Sequence, residues 1–166
     1  MVVPAMADLT PAEVAIIGCG NPNRSDDGVG VEVIRRLLPR AAPRTKLLDA
    51  GTDGMAVMFA ARGCRTLIVI DACTTGAAPG TLFEVPAGVL ACPHPPSFTL
   101  HDFRWEHALY AGRKMYGGDF PADVTVLLVE ARSLAFGLAL SAEVGAAVAR
   151  TVARIEQLLA ERGTCP

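Results

Sequence analysis

Residues 13–31, EVAIIGCGNPNRSDDGVGV, constrain the fold more than any other stretch of the chain. The run from Val14 to Gly18 is apolar without interruption and bounded by glycine, the pattern of a parallel strand covered on both faces. Gly18-Cys19-Gly20 ends it, and a short loop delivers two adjacent carboxylates, Asp26 and Asp27, predicted to open a helix at Asp27. Val31, Ile34, Leu37 and Leu38 fall at helical spacing, and Pro39 cannot continue the hydrogen-bond ladder, so the helix is predicted to end at Leu38. A strand that stops at glycines and re-enters as a helix places its loop at the carboxyl edge of a sheet, where open α/β folds bind ligands.

The same alternation continues. TKLLD, from Thr45 to Asp49, reads as a second strand, and Gly51-Thr52-Asp53-Gly54 as a turn into a helix near Met55. RTLIVID, from Arg65 to Asp71, is a third strand apolar on both faces. Strand and helix alternating in this way predict a right-handed, doubly wound α/β arrangement. Gly76, Pro79 and Gly80 then mark turns before TLFEV, Thr81 to Val85, read as an edge strand. A proline-rich loop over 86–100 leads to His101, and loops of this length in compact domains are often functional. A helix from Asp102 puts Trp105, Ala108, Leu109 and Gly112 on one face and ends at Gly117-Gly118. Val124 to Glu130 is the last core strand. Ser141 is predicted to cap a long helix whose apolar stripe is Val144, Ala147, Val148, Thr151, Val152, Ile155 and Leu159, with Gly163 closing it.

At 166 residues and 51% hydrophobic, the chain suits one domain. Residues 1–12 read as a loose leader with Met6 as an alternative start, 13–163 as the domain, and 164–166 as a tail. A net charge of -2 supplies no basic field for nucleic acid or an anionic membrane surface. Cysteines at 19, 64, 73, 92 and 165 are odd in number and form no CxxC pair, which argues against a zinc cage or disulfide framework and for a reducing cytoplasm. No apolar run reaches the roughly 18 residues of a membrane span, and no secretory signal opens the chain.

Several chemistries compete for the polar residues. Gly18-Cys19-Gly20 after a strand, with Asp49 ending the next one, suggests a dinucleotide site. Asn23 stands in place of the third glycine, however, and Asp26 and Asp27 put negative charge where a pyrophosphate needs bare amides. Asp26 and Asp27 are equally suited to helix capping, and Asp71 to a turn. The ends of strands one and three lie together in this topology, so two carboxylates joined by His101 suit a divalent transition metal. Zinc hydrolysis is disfavoured, because Glu106-His107 lacks the second histidine of a HExxH helix. A Cys-His nucleophile would draw on Cys19 or Cys73, both better read as small packing residues. Glu130 and Arg132 either line the crevice or are structural, and Trp105 and Tyr110 read as core or rim.

Four segments, GCGNPNRSDDGVG, DAGTDGM, LIVIDACTTGAAPGT and a histidine some thirty residues later, together resemble the NiFe-hydrogenase maturation endopeptidases, in matching order across residues 14–160. The resemblance implies a three-layer α/β/α sandwich with a mostly parallel sheet and one antiparallel edge strand. It implies an endopeptidase, an aspartyl-type protease, that removes the C-terminal extension of a nickel-loaded hydrogenase large-subunit precursor. Asp27, Asp71 and His101 match the family's catalytic, nickel-binding positions, and Asp49 matches a further acidic position. Nickel would arrive with the substrate, with no organic cofactor. Asp27 replaces the glutamate of several members, and the histidine segment reads SFTLHDFRWEHAL, with His107 as the alternative ligand. A non-catalytic nickel chaperone would use the same ligands, and a nucleotide-binding Rossmann-like protein the glycines and Asp49.

Overall fold

A computed structural model describes residues 12–91, 93 and 103–163. His94, His101, Cys92, Cys165 and the leader through residue 11 lie outside the described residues. Five strands form one sheet in the order β2-β1-β3-β5-β4: β1 (Val14–Cys19), β2 (Thr45–Gly51), β3 (Thr66–Cys73), β4 (Leu82–Pro86) and β5 (Asp123–Glu130). Among the described residues only β4 runs antiparallel, pairing with β5 at the edge, as the sequence predicts. The helices are α1 (Val29–Leu37), α2 (Gly54–Ala61), a single turn α3 (Ala87–Leu90), α4 (Trp105–Tyr116) and α5 (Ala142–Glu161).

The pleat of β1 sorts the core into two layers. Ala15, Ile17 and Cys19 face the layer of α2 and α4, with Val57, Met58, Trp105, Ala108 and Leu109. Val14 and Ile16 face α1 and α5, with Val33, Ile34, Val148 and Ile155. A strand with buried side chains at every position therefore serves both layers, which explains its uninterrupted apolar run. All seven stripe residues of α5 are buried, as are Trp105, Ala108, Leu109 and Gly112 of α4. Ala12, assigned by sequence to the leader, packs against the first of these layers.

The predicted start of α1 is corrected. Ser25–Gly28 forms a tight 3-10 turn, α1 begins at Val29, and a second such turn, Leu38–Arg40, carries Pro39. Neither Asp26 nor Asp27 makes a side-chain cap bond. Ser141 occupies the cap position of α5 without a side-chain cap bond, its hydroxyl donating instead to Asp26 Oδ2 at 3.0 Å. The packing task of a third fingerprint glycine falls to Gly30, where an added Cβ would lie 2.4 Å from the Cys19 carbonyl oxygen. Gly18 faces it, and together they let α1 approach β1 closely. Among the described residues no helix is long and apolar enough to cross a membrane.

Candidate functional site

The chain reverses its strand order at β1: β2 lies on one side of it and β3 on the other. A crevice opens at such a point because the connections leave in opposite directions. Pairing of β1 with β3 stops at Gly18 opposite Ile70, so Asp71 is the first residue of β3 without a β1 neighbour. It meets the loop that leaves β1. Gly20 makes that meeting possible: its φ of 110° is one side chains rarely adopt, and a Cβ there would fall 1.8 Å from the Asp27 carbonyl oxygen and 3.3 Å from Asp71 Oδ1. Asp27 and Asp71 are thus drawn together around a position only glycine can occupy.

The crevice between them encloses about 60 Å³ and is also lined by Asp53, Arg104 and Trp105. That volume suits an ion or a few waters. Carboxylates occupy the walls a pyrophosphate would need. Asp27 Oδ2 accepts from the Asn21 N–H at 2.9 Å. Asp71 accepts from the Ala72 N–H at 2.8 Å and from the Trp105 indole N–H at 2.7 Å. Burial pushes the Asp71 carboxyl up to about 6 against the pull of these two bonds, and the charges of Asp27 and Glu106 add to the rise.

The neighbouring acids have separate tasks. Asp26 is fully buried and accepts from the N–H groups of Arg132 (2.8 Å), Ser133 (3.1 Å) and Ser141 (2.6 Å). It ties the first loop to the segment between β5 and α5 and takes no part in the crevice. Asp49 is exposed and closes a local turn, Oδ1 accepting from the Gly51 N–H at 3.0 Å. Asp53 caps α2, accepting from Met55 and Ala56 while lining the crevice.

The thiols are unsuited to nucleophilic attack. Burial, reinforced by Asp71, Glu106 and Asp49, holds the Cys19 thiol well above its ordinary value, and burial with Glu130 pushes Cys73 up to about 12. Glu130 is buried and structural: it accepts from the N–H groups of Thr75 and Gly76, which pull its carboxyl down to about 2 and fix the turn after Asp71. Arg132 pairs with Glu143 instead. His107 Nδ1 accepts from the Arg104 N–H at 3.1 Å, tying down the start of α4.

Two participants escaped the sequence reading. Trp105, expected to be core or rim, is buried core that also fixes one oxygen of Asp71. The usable signal was that a buried indole N–H needs a partner. Glu106 follows it, with Oε2 buried and without a hydrogen-bond partner among the described residues, and its charge acts on both Asp71 and Cys19. Among the described residues no three acidic, cysteine or histidine side chains form a group able to hold a metal. Asp27 and Asp71 therefore supply at most part of a coordination shell, and His101 lies outside the described residues.

Comparison with known proteins agrees with this architecture. A family model described as HycI, hydrogenase maturation protease, matches residues 31–158. The chain is 36% identical over 105 residues to coenzyme F420 hydrogenase subunit delta of Methanothermobacter thermautotrophicus, an alignment covering 55% of this chain and 66% of that one. The chain thus spans just under two thirds of that relative. It is 29% identical over 163 residues to the hydrogenase expression/formation protein HoxM of Azotobacter vinelandii, covering 93% and 76%. Its fold superposes on the hydrogenase maturating endopeptidase HybD of E. coli with a TM-score of 0.75 at 22% identity, covering 91% and 94% of the two chains.

Proposed function

Because the chain belongs to the hydrogenase maturation protease family, we propose that it is an endopeptidase that removes a C-terminal extension from the nickel-loaded large-subunit precursor of a NiFe hydrogenase. The observation that carries the reading is the meeting of Asp27 and Asp71 around Gly20 at the switch point of the sheet. Both acids line a small crevice that opens at the carboxyl edge of the sheet.

In this reading Asp27, Asp71 and His101 hold a nickel ion that arrives with the precursor, and the ion registers the scissile bond against the crevice. Cysteine thiolates of the precursor supply the soft ligands nickel favours, which this chain's own raised thiols do not. Two routes to hydrolysis suit the residues. A crevice carboxylate takes the proton of an attacking water, or the ion polarises the scissile carbonyl. Trp105 and the Ala72 N–H keep the Asp71 carboxylate in one orientation under either route. We place the step in the cytoplasm, where Cys19, Cys64 and Cys73 stay free thiols.

The test is the mass of the precursor. Incubation of the purified protein with nickel-loaded precursor is expected to remove a C-terminal peptide. Stable association with the loaded precursor and no change in mass would replace the peptidase with a nickel-binding chaperone.

A further inference from the structure

Phe136 and Leu138 are each 87% exposed, more than any other large apolar side chain among the described residues. They sit in the segment SLAFGLAL, residues 133–140, between β5 and α5. Leu140 packs against the core layer of α1 and α5, but Phe136 and Leu138 stand in solvent, and hydrogen bonds hold their loop in place. The Ser25 N–H donates to the Gly137 carbonyl at 2.8 Å and the Gly137 N–H to Asn23 at 3.0 Å. Arg24 Nε donates to the Leu134 carbonyl and the Ser25 hydroxyl to that of Ala135, both at 3.1 Å. The Arg24 guanidinium also lies 5.5 Å from the centre of the Phe136 ring. A Cβ at Gly137 would stand 2.5 Å from Ser25 Oγ and displace that hydroxyl. Ser25 itself adopts a φ of 49°, a conformation costly for a non-glycine residue that the surrounding bonds must maintain.

These bonds end on residues 23–26 of the loop that goes on to present Asp27. The apolar knuckle and the candidate ligand are thus carried by two loops that hydrogen bonds tie together, so the knuckle stands beside the loop that presents Asp27. Resting on the function proposed above, we infer that Phe136 and Leu138 form a preorganised docking surface for an apolar patch of the folded precursor beside its processed tail. Rigid apolar anchors cost little ordering on binding, and burying two of them contributes affinity that the small crevice alone does not provide. The surface reads the body of the partner while the crevice reads its metal and scissile bond.

The experiment compares the wild-type protein with Phe136→Ser, Leu138→Ser and the double variant, with Met115→Ser as an exposed apolar control on α4. Binding of nickel-loaded precursor is followed on a biosensor surface, and processing by initial rates. The double variant is expected to melt with the wild type, to bind at least tenfold more weakly and to raise KM by a similar factor, with kcat within twofold; Met115→Ser should change none of these. Wild-type affinity in the double variant, or a loss confined to kcat, would overturn the docking surface. Since binding is measured apart from cleavage, a wild-type protein that binds the precursor and leaves it intact would instead count against the peptidase reading alone.

Discussion

Exchanging the two neighbouring acids should separate stability from activity. Asp26 is fully buried and accepts three backbone N–H groups and the Ser141 hydroxyl at 2.6 to 3.1 Å. Hydrogen bonds to a charged acceptor contribute about 1.5–3 kcal/mol each. The donors Arg132 and Ser133 belong to exposed residues that water can re-solvate, so Asp26→Ala should cost roughly 3–5 kcal/mol, below the simple sum. For a domain of this size that lowers Tm by roughly 10–15 °C. Among the described residues Asp27 accepts a single such bond, from the Asn21 N–H, and an asparagine oxygen can accept it equally well. Asp27→Asn should therefore stay within about 1 kcal/mol of wild type while abolishing precursor processing. Thermal melts by circular dichroism, paired with processing assays at a temperature where both variants remain folded, decide the matter. A melting point for Asp26→Ala equal to wild type, or full processing by Asp27→Asn, would refute the division of labour.

Asp71 carries a pH signature. Its carboxyl rises from 3.8 to about 6 on folding, so the folded state holds the proton more tightly than the unfolded chain. The associated stability is present below about pH 4 and lost as the pH climbs through 6, roughly 2–3 kcal/mol in all. Asp71→Asn should flatten this part of the stability profile and eliminate processing, with Tm near pH 7 little changed, because relief of the buried charge offsets one weakened hydrogen bond; a profile as steep as wild type would show that another group titrates there. Trp105→Phe keeps most of the ring packing and removes only the N–H donor to Asp71, so processing kcat should fall at least tenfold with a Tm loss of a few degrees, and unchanged kcat would make the indole a packing residue. His101→Ala should sharply reduce processing of nickel-loaded precursor, whereas His107→Ala, which loses a bond to the Arg104 N–H, should mildly destabilise α4 and leave most activity; the reverse result would move the ligand onto the helix.

How legible these features were in the sequence follows from the range of the interactions involved. Local periodicity identified β1, β3 and the buried stripe of α5, since burial on a strand or helix repeats along the chain itself. It also located Asp53 in the turn before α2 and β4 at the sheet edge. The division between Asp26 and Asp27 was not legible, because it depends on partners 106 to 115 residues away in the segment after β5. The start of α1 failed for a related reason: Ser25–Gly28 is wound into a 3-10 turn and pinned to Ser133 and Gly137, overriding the local preference for an acid at a helix cap. The bond from Trp105 to Asp71 joins positions 34 apart whose meeting depends on the α4 layer closing over the sheet. The incomplete glycine pattern argued against a nucleotide, but it did not reveal that Gly30, outside the fingerprint, makes the close helix approach.

The central claim is that Asp27 and Asp71 act on a metal the substrate brings. The most direct measurement is the processing rate of metal-free protein on nickel-loaded and nickel-free precursor, with a chelator added after the loaded precursor is assembled. The loaded precursor is expected to be cleaved at a rate the chelator barely changes, and the nickel-free form not at all. Processing of nickel-free precursor at the same rate would contradict that claim.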